Sequence, residues 1–405
     1  MTNDTVLRRD HIEKLQRYRD QTDLVKVITG MRRSGKSTLL QQYMDILIEE
    51  GIDEDRIVYL NFDSKKNKHL LGEDLLYDHL MSRVSEKGSY FFLDEIHNVP
   101  GWERVIDSLI IDTDADIYIT GSNAYMLSTE LSTHLTGRTI QINVLPLSFK
   151  EFKELNRLED NEKAFGDYIS TGSMPKLRAN MSKDDAFEIV NAIRLDIMFK
   201  DIAYRKKLTD LRTLERIIDY LFSETGNPIS GKSISEKLRI DDKTAESYLQ
   251  MIRESLMFYQ AKRFDLKGKM VLTTPSIYYC TDLGMRNSAI GEYSRDIGRS
   301  VENVVYLELL RRGYSVHTGK IGNREIDFVA DKSGKREYYQ VSVTLLDEGT
   351  RNREIRPFKD LDGPGRKIIL TMDRLGLGKE DNIDIINVVD WLLGACDVSQ
   401  NGSNS

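Results

Sequence analysis

The eight residues Gly30-Met31-Arg32-Arg33-Ser34-Gly35-Lys36-Ser37 constrain this chain more than any other stretch. They follow a short apolar, β-branched run, Leu24 to Thr29. They precede a segment, Thr38 to Glu49, in which Leu39, Leu40, Tyr43, Ile46 and Leu47 recur at helical spacing. A strand, a glycine-bounded loop and a helix in that order match G-x-x-x-x-G-K-[ST] in the context that gives the motif its chemistry. Two glycines let the backbone curl until successive N–H groups converge on phosphate oxygens, and the helix start adds the positive end of its dipole. Lys36 is then placed to reach the terminal phosphates and Ser37 to ligate magnesium. Gly30, Arg33, Ser34, Gly35, Lys36, Ser37 and Thr38 are the expected phosphate-binding residues, with ATP and Mg2+ as the ligands. The competing reading, a chance glycine turn, leaves the flanking strand and helix unexplained.

A magnesium–nucleotide site needs a further acid, commonly at the end of a neighbouring apolar strand, and Tyr90-Phe91-Phe92-Leu93-Asp94-Glu95 supplies it. Asp94 is expected on the metal and Glu95 beside the attacking water. The bland alternative is a strand that ends in two solvated acids. Downstream, Ile117 to Thr120 reads as another central strand and leads into Gly121-Ser122-Asn123. Asn123, or Ser122, is a candidate to position the water, and the same residues suit a turn or a helix N-cap. A helix-like stretch, Ala124 to Leu135, ends at Thr136-Gly137-Arg138, where Arg138 could point at a neighbouring subunit's nucleotide or pair with an acid on its own surface.

Strand-like runs at Arg56 to Phe62, Ser89 to Leu93, Asp116 to Thr120 and Thr139 to Val144 alternate with helical segments, which predicts an α/β core on a mostly parallel sheet. From Ser148 the strand signal gives way to helical periodicity. A chain of 405 residues, 40% of them hydrophobic, has enough apolar content for several cores. The predicted layout is a P-loop core over 1–147, a helical lid over 148–211, a winged-helix-like domain over 212–298, an α/β domain over 299–396 and a disordered tail over 397–405.

Charge excludes little. Sixty-five acids against 58 bases give −7 overall, with no global reason for a polyanion partner. Between Lys200 and Met270, however, 15 Lys or Arg outnumber 11 Asp or Glu. Within that stretch Ser233 to Leu238 and Lys243 to Leu256 form a helix-turn-helix pattern, and two strand-like runs follow it. Lys243, Ser247, Gln250 and Arg253 are expected on the outer face of the second helix, where they would meet DNA or only solvent. Cys280 and Cys396 sit in no metal-ligand spacing, and Met1 to Tyr18 lacks the apolar core of a signal peptide or membrane span. A cytoplasmic location without a membrane partner is expected.

The runs VITGMRRSGKSTLL, YFFLDEIHNVPGWE, ITGSNAYML, LTGR and INVLPLSFKEF, in that order, resemble the AAA+-related ATPases of bacteria and archaea that carry a C-terminal domain of unknown function. The C-terminal half continues the resemblance through YYCTDLGMRN, ENVVYLELLRRGY, REIDFVA and QVSVTL. The resemblance implies ATP binding and hydrolysis, a helical lid, a homo-oligomer and, at Arg138, the arginine finger that completes a neighbour's site. It also suggests a restriction-endonuclease-like fold at the C-terminus. There a helix bearing Glu302, a strand bearing Asp327 and a following strand have the order of such a core. The expected Glu-x-Lys reads Gln340-Val341-Ser342, which removes one metal carboxylate and the assisting lysine, so nuclease activity is not expected. The leading expectation is a magnesium-dependent ATPase that couples nucleotide state to an unidentified protein partner through its C-terminal domains. The alternatives are a nucleotide-controlled interaction module with little turnover and a nucleic-acid-cleaving enzyme.

Overall fold

Five short strands build the first sheet: β1 (Val25–Thr29), β2 (Ile57–Asn61), β3 (Tyr90–Asp94), β4 (Asp116–Gly121) and β5 (Thr139–Asn143). Every residue of β1, β3 and β4 is buried, because each strand shows alternate side chains to two apolar layers. Phe91 and Leu93 pack with Leu76, Trp102 and Ile106 from the helices Glu73–Met81 and Trp102–Asp112. Tyr90 and Phe92 pack on the other side with Leu39, Leu40 and Tyr43 from the helix Lys36–Glu49. The strands are all parallel, in the order β2-β3-β4-β1-β5, so β4 separates the loop-bearing β1 from the acid-bearing β3. Lys26 is a cation within an otherwise apolar strand. Its ammonium pairs at 2.5 Å with Asp116 Oδ1 and donates to the Gln21 carbonyl at 2.7 Å, while Asp116 Oδ2 accepts from the Tyr118 hydroxyl, so the buried charge is paired.

This computed structural model describes residues 5–122, 135, 137–204, 207–291, 296–361 and 364–394. The chain divides into two compact units, one of residues 1–146 with Glu254–Leu256, the other of Leu147–Arg253 with 257–405. Cys396 and the tail 397–405 lie outside the described residues. No described helix is long and apolar enough to cross a membrane.

The second unit starts with helices. Ser148 caps the helix Phe149–Asn156 by accepting from the Glu151 amide, while the Glu151 carboxylate accepts from the Ser148 amide. That explains the Pro-Leu-Ser-Phe signature locally: the serine starts a helix whose Phe149 and Phe152 pack edge-on against Phe165 and Tyr168 of the helix Asn161–Thr171. The helix Lys183–Asp196 runs on into a π-helical stretch, Ile197–Tyr204.

A nine-stranded mixed sheet follows, formed by β6 (Pro228–Ile229), β7 (Phe258–Asp265), β8 (Met270–Cys280), β9 (Ser315–Ile321), β10 (Arg324–Lys332), β11 (Lys335–Ser342), β12 (Arg366–Thr371), β13 (Gly378–Glu380) and β14 (Ile383–Asn387). Its order is β13-β14-β12-β11-β10-β9-β7-β8-β6. The hairpin β7–β8, expected as a wing, is joined to the later strands by a parallel pairing in which Arg263, Phe264 and Asp265 face Thr318, Gly319 and Lys320. One sheet therefore crosses the expected boundary at 298/299. The helices Gly231–Leu238 and Asp242–Glu254 form as the sequence predicts, and Lys243, Ser247 and Gln250 are exposed. Arg253 is a correction: it is half-buried and donates to Gln260 Oε1 on β7 at 2.7 Å, because its turn of helix abuts the hairpin.

Asp282 ties the helices of this unit to the end of β8. The buried Asp282 carboxylate accepts from the Ser173 amide at 2.6 Å, the Ser173 hydroxyl and the Met285 amide. A side chain at Gly284 would put its Cβ 2.1 Å from the Thr171 carbonyl, so the YYCTDLGMRN run needs a glycine there.

Candidate functional site

The loop after β1 curls for identifiable reasons. Gly30 has φ +154° and passes so close under the Val144 carbonyl that a Cβ would lie 2.2 Å from its oxygen. Arg33 has φ 65°, and Gly35, at φ 105°, opens the helix Lys36–Glu49 in a left-handed conformation. The helix therefore begins with its amides aimed back into the loop. Lys36, only 4% exposed, donates from Nζ to the carbonyls of Gly30 (3.1 Å) and Met31 (3.4 Å). Ser34 is buried, whereas Arg33, Ser37 and Thr38 are exposed.

Of the two predicted acids, Glu95 is placed against the loop lysine. Glu95 Oε1 lies 3.5 Å from Lys36 Nζ, and Glu95 Oε2 lies 3.4 Å from His97 Nδ1. Glu95 is 8% exposed, and burial raises its pKa above the usual carboxylate value against the opposing pull of Lys36. It stands at φ 55°, a left-handed turn that swings the carboxylate off the end of β3. Asp94 is held more firmly. Thr120 donates its hydroxyl to Oδ1 at 2.5 Å, while Tyr59 (3.0 Å) and Asn61 (2.7 Å) donate to Oδ2. Thr120 also accepts from the Glu95 amide at 2.9 Å, so one hydroxyl on β4 orients both acids.

Three buried oxygens at this end of the sheet, Thr29 Oγ1, Ser34 Oγ and Glu95 Oε2, have no hydrogen-bond partner. Buried polar atoms are normally paired; beside the close-packed Gly30 the Thr29 and Ser34 hydroxyls could donate to phosphate oxygens, and Glu95 Oε2 could accept from a water. The donors suit magnesium too: the Ser37 hydroxyl and the Asp94 carboxylate are hard oxygen ligands.

Other predicted residues are not brought together here. Asn123 lies outside the described residues, and its neighbour Ser122 is buried at the end of β4. Arg138 is exposed, and its carbonyl accepts from the Val25 amide at the opposite end of β1 from the loop. Five strand residues, about 16 Å, separate it from the phosphate loop of its own chain. In the second unit, Glu302 and Asp327 do come together. The Tyr279 hydroxyl donates to Glu302 Oε1 at 2.5 Å, the Val341 amide donates to Asp327 Oδ2 at 2.7 Å, and Gln340 bridges to Glu354 Oε2 at 2.8 Å. Burial pushes Glu302 up to about 7 and, with the charge of Glu302, raises Asp327 well above its usual value. Among the described residues no group of three His, Cys, Asp or Glu is arranged to hold a metal ion.

Sequence reasoning missed Arg8. Its buried guanidinium donates to the Ser34 carbonyl at 3.3 Å and to the Leu145 carbonyl at 2.7 Å, tying the phosphate loop to the chain leaving β5. Nothing local to Arg8 signals this, because its partners lie 26 and 137 residues away. Thr120, Asn61 and Tyr59 were legible only as strand residues.

Residues 22–153 match the AAA domain family, and residues 162–296 match a domain of unknown function, DUF8612. An uncharacterized protein of Haemophilus influenzae is 36% identical over 97% of this chain and 100% of its own length. An uncharacterized protein of Methanocaldococcus jannaschii is 29% identical over 91% of this chain and 88% of its own. Among solved structures, the replication initiator DnaA aligns with 60% of this chain and 86% of its own at 16% identity and a TM-score of 0.32. A phosphate loop on a five-stranded parallel sheet, an AAA-domain match and a full-length relative at this identity agree, and the chain belongs to the AAA-domain family of P-loop nucleotide-binding proteins.

Proposed function

We propose that this protein is a magnesium-dependent ATPase whose nucleotide state is passed to a protein partner through its C-terminal unit. The observation that carries the reading is the buried approach of Lys36 Nζ to Glu95 Oε1, 3.5 Å, at the loop that Gly30 and Gly35 curl. The ammonium would neutralise charge on the transferred phosphoryl group, and the carboxylate, its basicity raised by burial, would take the proton of the attacking water. The water oxygen bonds to the γ-phosphorus, the bond to the β–γ bridging oxygen breaks, and ADP leaves with the electron pair. Magnesium, held through Ser37 and Asp94, would supply charge neutralisation at the β and γ oxygens. Thr120 fixes the acids' orientation, and Asn123 is the proposed water-positioning residue.

Arg138 is proposed to act only in trans, from a neighbouring copy in a homo-oligomer, since its own loop is a strand length away. DNA, a cytoplasmic location and the partner itself belong to the same proposal, with Lys243, Ser247 and Gln250 as the exposed helix face for DNA. The test is ATP turnover with and without DNA on protein sized by light scattering in ATP and in ADP. Turnover that depends on magnesium, rises with assembly and is lost in Glu95→Gln is expected. Equal turnover in wild type and Glu95→Gln overturns the division of roles, and nucleotide binding without turnover leaves a switch in place of an enzyme.

A further inference from the structure

Besides Lys36 and Arg33, the phosphate loop carries a third cation, Arg32. Its guanidinium is 17% exposed and lies 3.6 Å from Asp63 Oδ2, two residues beyond the end of β2. It is also among the charges that stabilise ionised Glu95, so it sits on the Glu95 side of the loop. The other oxygen of Asp63 accepts from Asn98 Nδ2 at 2.9 Å, and the Asn98 amide donates back to the Glu95 carbonyl at 3.1 Å. The Asp63 carboxylate thus contacts both the loop and the turn that holds Glu95 and His97.

An ion pair whose acid is 51% exposed is weak, because water competes for both partners. A guanidinium meeting a phosphate makes two parallel charge-assisted bonds with a dianionic group, a stronger match. We propose that Arg32 is a γ-phosphate ligand supplied by the loop in cis, that Asp63 and the γ-phosphate compete for it, and that ATP but not ADP draws it away from Asp63. Asp63 then no longer ties the Glu95–Asn98 turn to the loop. Arg32 reports the third phosphate to the residues proposed to use it. The inference rests on the ATPase reading and extends it to how the site tells ATP from ADP.

The test is isothermal titration of magnesium-ATP and magnesium-ADP into the full-length wild type, Arg32→Ala, Arg32→Lys and Asp63→Asn, with thermal melts to verify folding. For Arg32→Ala, ATP affinity should fall by about 10- to 100-fold while ADP affinity stays within about threefold, the scale of lost hydrogen bonds to a charged group. Arg32→Lys should recover part of the ATP affinity, and Asp63→Asn should bind ATP severalfold tighter with ADP unchanged. Because Arg32 and its site share one chain, the ATP-over-ADP preference should not change on dilution. Equal losses for ATP and ADP in Arg32→Ala, or no loss for either, overturn the assignment while leaving the ATPase reading intact. A folded wild type that takes up neither nucleotide overturns both.

Discussion

Both units cluster acids, Asp94 and Glu95 at the end of β3 and Glu302, Asp327 and Glu354 on β10 and two helices, yet they bond them differently. At the tip of β3, Glu95 keeps one oxygen without a hydrogen bond, and Ser34 and Thr29 do likewise nearby. In the C-terminal unit Glu302, Asp327 and Glu354 are bonded to Tyr279, the Val341 amide and Gln340. Open hydrogen-bonding capacity beside a glycine-only cradle marks a place prepared for a ligand. Asp94 is bonded just as fully, to Thr120, Tyr59 and Asn61, so the contrast is between Glu95 and the C-terminal cluster, whose bonded members form a structural joint. Where Glu-x-Lys was expected, the Gln340 carboxamide instead donates to Asp327 Oδ1 and Glu354 Oε2.

The largest test of this contrast is Glu95→Gln. Loss of the proposed general base should cut turnover by about 100- to 10,000-fold while ATP still binds, as single-turnover and binding assays would show. Turnover within about threefold of wild type would remove the distinction between the two acid clusters. Lys36→Ala removes one partner of a buried charge pair and should weaken ATP binding by about 2–5 kcal/mol in calorimetry, with no comparable effect of Glu302→Gln. Gly284→Ala forces a Cβ against the Thr171 carbonyl and should lower unfolding stability of the C-terminal unit by about 2–3 kcal/mol in urea, leaving ATP affinity unchanged. A loss of nucleotide binding there would contradict the independence of the site.

The smallest effect concerns pH. The pKa of Glu302 rises from 4.5 to about 7 on folding, so the folded protein holds this proton more tightly than the unfolded chain. The resulting stabilisation is complete below the unfolded value and is lost as pH rises through the folded one. Melting of wild type should therefore fall by a few degrees more than that of Glu302→Gln between about pH 5 and about pH 7.5. Parallel profiles would place Glu302 outside the joint.

Much of the first unit is legible because its determinants are local. The strand–loop–helix over Leu24 to Glu49 and the acids ending β3 are fixed by residues within one turn of each other. The 3.6-residue and two-residue periods likewise give the caps and strands of the second unit, and Ser148 with Glu151 is a capping box readable from spacing alone. What escapes is set by partners distant in sequence. Arg8 gains its role only when β5 returns beside β1, and Arg253 loses its outward face only when the helix settles on Gln260. The parallel pairing of β7 with β9 joins stretches more than fifty residues apart, and apolar alternation carries no record of that register.

Arg8 and Gly30 together have one more implication. Gly30 lies under the Val144 carbonyl, and Arg8 clasps the loop at Ser34 and the outgoing chain at Leu145, one residue before Pro146 ends the first unit. One guanidinium thus links the exit strand to the phosphate cradle. Whatever the loop grips is therefore tied, through one buried side chain, to the strand end at which the first unit closes.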